Sequence, residues 1–154
     1  MFSSPSKRVS CGDMEIRVRY LVPPRVIMEA LTDARSAQYY TQSLCRIQPV
    51  VGGEYILFDG GVQGQFTSIS ENKIEMKWRR REWEDGVYSL VTLEFIQLDS
   101  ALTEVHLVQK DIPKFDKYNN AGVIENVETG WMETIFRKIS MFLGYTFQTE
   151  AEFE

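Results

Sequence analysis

Between Met14 and Leu21 apolar side chains (Met14, Ile16, Val18, Tyr20) alternate with Glu15, Arg17 and Arg19, the two-residue period of a half-buried strand. Pro23 and Pro24 end it. Val26, Ile27, Ala30 and Leu31 then recur at helical spacing behind a proline that sacrifices no hydrogen bond in a first turn, so a helix is predicted over Pro24 to Asp33. A second short helix follows over Ser36 to Gln42. Strand-like runs and turn residues then succeed one another: Arg46 to Val50, Glu54 to Phe58, Val62 to Ser68, Lys73 to Trp83, Val87 to Leu98 and Thr103 to Lys110. Connections this short join antiparallel neighbours, because a parallel crossover needs about a dozen residues or more. After a loop over 114–126, Val127, Trp131, Ile135, Ile139 and Phe142 form one apolar stripe of a long helix from Val127 to Leu143, stopped at Gly144. That stripe needs an apolar surface to cover it. The concave face of the meander is the simplest one, so an α+β fold is expected, with an antiparallel sheet of six to seven strands gripped by the C-terminal helix.

A chain of 154 residues fits one domain at roughly 150 residues each. Nine Phe, seven Tyr and three Trp supply ample core. Three stretches are expected: a flexible lead-in over 1–12, the domain over 13–147, and an acidic, solvated tail over 148–154. The net charge of −5 argues against nucleic acid as the main ligand. No apolar run is long enough for a membrane span, and Cys11 and Cys45 sit in no metal or redox spacing, so free thiols and a cytoplasmic location are expected.

The charge is unevenly spread. Lys73, Lys77, Arg79, Arg80 and Arg81 against Glu75 and Glu82 give the Lys73 to Trp83 segment a local +3. Alternation turns Ile74, Met76 and Trp78 toward the core and Lys77, Arg79 and Arg81 away from it, with Arg80 at the sheet rim. That outer face is either ordinary solvated surface or, with Trp83, a docking face for an acidic partner. The interior poses a similar choice. Trp78, Leu93, Phe95, Leu107, Gln109, Trp131 and Ile135 either pack as solid core or line a pocket between helix and sheet.

Catalytic chemistry finds little support. His106, alone of its type, lies on a strand between Val105 and Leu107, facing away from them. The glycines of Phe58 to Phe66 lack phosphate-loop spacing and lead into a strand rather than a helix. No catalytic residue, metal ligand or cofactor is assigned.

The segments GGEYILFDGGVQGQF (Gly52 to Phe66), KIEMKWRRREW (Lys73 to Trp83), TLEFI (Thr92 to Ile96), Ile112-Pro113, Gly130-Trp131 and FLGY (Phe142 to Tyr145) together resemble the C-terminal domain of the activator of heat-shock protein 90 ATPase, a START-like helix-grip fold. The resemblance runs from about Pro23 to Phe147. It implies a co-chaperone that binds heat-shock protein 90 and modulates its ATPase cycle by favouring the closed dimer, without being an enzyme. The family's activators carry a further N-terminal domain, so a separate protein of that type is an implied partner, and the loop over 114–126 is longer than the family's connection before Gly130-Trp131. START-like relatives imply a second reading, a carrier of a small apolar ligand, and a third, an aromatase/cyclase-type enzyme, for which Gln109 would be the inward polar group.

Overall fold

A computed structural model describes residues 11–153. Strand β1 (Cys11–Tyr20) is followed by helices α1 (Pro24–Thr32) and α2 (Ala34–Thr41). The chain then makes the meander β2 (Arg46–Ile47), β3 (Glu54–Leu57), β4 (Val62–Ile69), β5 (Lys73–Arg80), β6 (Ser89–Asp99) and β7 (Leu102–Pro113). A last helical stretch and a short strand β8 (Phe147–Thr149) complete the fold. The sheet is antiparallel, eight-stranded, in the order β2-β3-β4-β5-β6-β7-β1-β8. Strand β1 closes onto the last strand of the meander, with Ile16 opposite Leu107 and Val18 opposite Val105.

The fold class is as expected, and three expectations are corrected. An eighth strand lies where a solvated tail was expected, because Phe147 to Thr149 pair with the free edge of β1. Beyond it Thr149 and Glu152 cap a short turn reciprocally, and Phe153 covers the Arg19 guanidinium at 3.9 Å. Second, Cys11 and Gly12 belong to β1, so part of the expected lead-in is sheet, and residues 1–10 lie outside the described residues. Third, the last helix begins at Val123, four residues before the expected start, which shortens the loop before it.

That helix covers 123–143 as α3 (Val123–Thr129), a π-helical stretch (Gly130–Phe136) and α4 (Arg137–Leu143). A π stretch shifts the helical face and loosens the usual backbone ladder. One of its carbonyls, that of Phe136, accepts a 2.7 Å hydrogen bond from the buried Tyr20 hydroxyl of β1. Helix and sheet are thereby bonded as well as packed.

The concave face is built in cross-strand rows such as Ile74, Leu93, Leu107 and Ile16. In the row Tyr55, Gly64, Trp78 and Ser89, the small residues Gly64 and Ser89 flank Trp78 and leave room for an indole from the helix. A Cβ on Gly64 would stand 2.5 Å from the Lys77 carbonyl oxygen, a backbone atom that cannot swing aside. Gly64→Ala is therefore expected to destabilise the protein by about 1 to 3 kcal/mol, read as a lower denaturation midpoint at unchanged slope.

Candidate functional site

Strand β5 places the charged segment, and the three arginines that follow one another in it meet three different environments. Arg79 was expected to face solvent and is 6% exposed. Its guanidinium donates to the carbonyls of Glu84 (2.7 Å), Trp83 (3.0 Å) and Val87 (3.2 Å), holding the loop between β5 and β6. A fork of five donors suits carbonyls that a turn leaves without strand partners. Trp83, expected at the docking face, is 1% exposed and packs edge-on to Trp78 at 5.7 Å. Neither residue can meet a partner as the surface is built. Arg79 keeps the outer face of β5, beside Tyr88 like Lys77, but the loop after the strand folds over it, and the alternation does not reach Trp83 because β5 ends at Arg80.

Lys77 and Arg81 do face solvent. Lys77 lies opposite Leu90, and Leu90 opposite Lys110. The Lys77 ammonium stands 5.3 Å from the Tyr88 ring centroid. Tyr88 is 40% and Leu90 50% exposed, so the outer face carries two apolar side chains between cations. These two were not singled out in the sequence, although Leu90 breaks the alternation of β6 by facing out. Arg81 stands beside the tight turn at Gly60-Gly61, its amide donating to the Gly61 carbonyl.

The proposed pocket residues are core. Leu93, Phe95 and Leu107 are fully enclosed, and Trp131 lies against Trp78 at 5.9 Å and against Phe136 at 5.8 Å. The space that Trp78, Trp131 and Ile135 border is a void of about 10 Å³, at the lower limit of about 10 to 15 Å³ for one water. Gln109 does point inward, as expected, but as the centre of a closed network. It accepts from the Trp131 indole at 2.8 Å and donates to Ser89 Oγ at 2.9 Å, and that hydroxyl donates to the Trp78 carbonyl. Bonded through both its oxygen and its nitrogen and fully buried, it is a structural tether between the helix and the sheet.

Arg80, assigned to the rim, instead lies under the last helix, where a Cβ on Gly130 would meet its Nη2 at 2.5 Å. A second space, about 220 Å³ and open to solvent, lies between Arg80, Glu82 and Trp83 on one side and Asp116, Val123 and Asn126 on the other. The loops around it are joined by Lys117, whose amide donates to the Glu82 carbonyl and whose ammonium pairs with Asp85 at 3.5 Å.

On the outer face of β1 and β7, Glu104 accepts from Arg17 at 3.0 Å and Arg19 at 3.1 Å, while His106 pairs with Glu15. The hydrogen bond from His106 holds the Glu15 carboxyl below the usual carboxylate range, helped by the charge of Arg17. His106 is thus engaged in a cross-strand hydrogen bond with Glu15. Among the described residues no group of His, Cys, Asp or Glu is arranged to hold a metal ion, and no helix is long and apolar enough to cross a membrane.

Residues 21–144 match the profile of the family described as "Activator of Hsp90 ATPase homolog 1-like protein". The chain belongs to this family. Among its relatives, an activator of 90 kDa heat shock protein ATPase homolog from Dictyostelium discoideum is 28% identical over 94% of this chain and 36% of its own length. Homolog 1 from Mus musculus is 26% identical over 93% of this chain and 43% of its own. The chain thus spans less than half the length of these curated relatives. The crystal structure of an HSP90 activator from Plasmodium falciparum is 37% identical and superposes with a TM-score of 0.86, covering 89% of this chain and 99% of that one. CalU16 from Micromonospora echinospora, 18% identical with a TM-score of 0.67 over 85% of this chain and 75% of its own, shares the fold.

Two predictions follow from the side chains of this activator-family domain. Gln109→Leu leaves the buried Trp131 indole N–H without its acceptor and removes one of the two hydrogen bonds of Ser89 Oγ, and is expected to cost about 1 to 3 kcal/mol in urea unfolding. His106→Gln is expected to raise the Glu15 carboxyl toward its ordinary value in a carboxyl carbon NMR titration. Because the folded carboxyl is depressed, its contribution to stability is present above the unfolded pKa and is lost as pH falls through the folded one.

Proposed function

We propose that the chain is a co-chaperone module that binds heat-shock protein 90 and stimulates or modulates its ATPase cycle by favouring the closed dimer. The match to the activator family over 21–144 carries this reading. The likeness to the Plasmodium falciparum HSP90 activator along nearly the whole of that chain supports it. The module hydrolyses nothing itself. It acts only if it binds the closed chaperone better than the open one, since equal affinity for both states shifts no equilibrium. Its work is then cytoplasmic, with neither nucleic acid nor membrane as partner.

The contact face in this proposal is the outer surface of β5 and β6, with Lys77 and Arg81 from the original basic stripe joined by Tyr88, Leu90 and Lys110. Exposed apolar side chains between cations give such a face both a desolvated centre and a charge that steers an acidic partner. Arg79 and Trp83 serve it from beneath by fixing the loop that carries Tyr88. Carriage of an apolar ligand between helix and sheet has no observation in its favour, given the void of about 10 Å³.

The test is binding of the purified chain to the cognate full-length chaperone, together with steady-state ATP turnover. Micromolar binding and a changed turnover are expected. Absence of both would reject the function. Lys77→Glu with Arg81→Glu should weaken binding about tenfold, ~1.4 kcal/mol, and flatten its dependence on salt. Unchanged affinity in that variant would reject this face while leaving family membership intact.

A further inference from the structure

Tyr88 and Leu90 stand on the outer face at the start of β6, with the buried Ser89 between them turned inward. Side chains two apart on a strand are about 6.6 Å apart along it. Cations border this pair on both sides. Lys77 of β5 lies opposite Leu90, and Lys110 of β7 lies opposite it on the other flank. Strands about 4.8 Å apart thus set an apolar centre between two ammonium groups. The Tyr88 ring is held in place, with the Lys77 ammonium at 5.3 Å and the Arg79 guanidinium carbon at 5.9 Å from its centroid. Lys77 and Lys110 are exposed and form no ion pair among the described residues.

The stripe has an end as well as two sides. In the next outward row Thr92 of β6 lies between Glu75 and Val108, and Glu94 follows two residues on. Glu75 and Glu94 are half-buried and in no ion pair among the described residues. From Tyr88 to Thr92 the stripe is about 13 Å long, and past it the face changes from basic to acidic.

We propose that this stripe takes an amphipathic helix of the partner, lying along β6, acidic on both flanks in its first turns and basic in its later ones. The inference rests on the reading of this face as the contact surface for the chaperone, and it names the element that meets it. Residues four apart in a helix are about 6 Å apart along its axis, close to the spacing of Tyr88 and Leu90. Charged positions on either side of a helical apolar stripe then face Lys77 and Lys110. A cation further along meets Glu75 and Glu94, where a carboxylate would be repelled. Acidic start and basic end are also the order that the helix dipole favours. An added strand is excluded at this place, because β6 is paired on both edges and has no free backbone groups to offer one.

The probe is an alanine-based peptide of about 20 residues, long enough to be helical alone. Leucines recur in it at three- and four-residue spacing, flanked by glutamates in the first half and lysines in the second. It is added to the nitrogen-15-labelled full chain, and saturable shifts centred on the amides of Lys77, Leu90 and Lys110 are expected. A peptide with the two charged halves exchanged, and one broken by a central proline, should each bind about tenfold more weakly or worse. Lys110→Glu and Leu90→Ser, both at exposed positions, should weaken binding of the probe by a similar factor. No saturable shift, shifts confined to another face, equal binding of the three peptides, or unchanged affinity in both variants would each overturn the proposal. Chaperone binding is measured beside the peptide. If Lys110→Glu weakens the chaperone complex while no peptide binds, the helix is rejected and the face is kept; if the peptide binds and the chaperone does not, the helix site stands and the functional reading falls.

Discussion

Trp131 lying against Trp78 is the contact on which the arrangement of this protein depends. A buried indole removes about 200 Å² from water, on the order of 5 kcal/mol before entropy is counted. Here two such rings meet face to face at 5.9 Å, with Trp83 on one side and Phe136 on the other. The stack fixes which face of the last helix meets the sheet. Gln109 then fixes its position along the sheet, because the indole N–H must reach the amide oxygen at 2.8 Å. The π-helical stretch at Gly130–Phe136 lies at this contact, and Tyr20 accepts the cost of the altered ladder by bonding a carbonyl there. Small residues at 64 and 89 are the corresponding concession by the sheet.

The same packing leaves about 10 Å³ of space at Trp78, Trp131 and Ile135 and puts the charged groups at the edges. Three adjacent arginines show how. Arg79 is consumed by carbonyls of the loop after β5, Arg80 is trapped beneath the helix with Nε unpartnered, and Arg81 faces solvent. A basic segment that looks uniform along the chain therefore divides into a loop anchor, an unpaired cation at a cleft, and a surface charge. Only the last belongs to the proposed docking face, together with Lys77 and the Tyr88 and Leu90 side chains of the loop and strand that follow. The outer face of β1 and β7 is different in kind, since Arg17 and Arg19 pair with Glu104 and Arg17 with Glu15, which leaves these charges little unmet attraction for a partner.

Much of this fold was legible along the chain. Alternation over Met14 to Tyr20, the glycine-rich turns of the meander, the paired prolines before α1 and the apolar stripe of the last helix are local signals, and each element formed within a few residues of its expected place. The ordered motifs from Gly52 to Tyr145 pointed to the family that the profile match over 21–144 shows. Such patterns survive because they record backbone period and turn geometry, which neighbouring residues set among themselves.

What only the tertiary structure decided was the assignment of individual side chains. Alternation cannot be carried past Arg80, because there the strand stops and the chain turns, so Trp83 went inward, while Arg79 kept its outward face and was covered by loop carbonyls that no one-dimensional pattern announces. The eighth strand is three residues long and forms because β1 has a free edge, not because Phe147 to Thr149 read strongly as a strand. Gln109 was legible as inward-facing, yet its role followed from an indole 22 positions away. The sequence by itself determined which segments were helix or strand and which family they compose. Distant parts of the chain, brought together by burial, determined which charges stayed free, because pairing depends on distances in space that spacing along the chain does not contain.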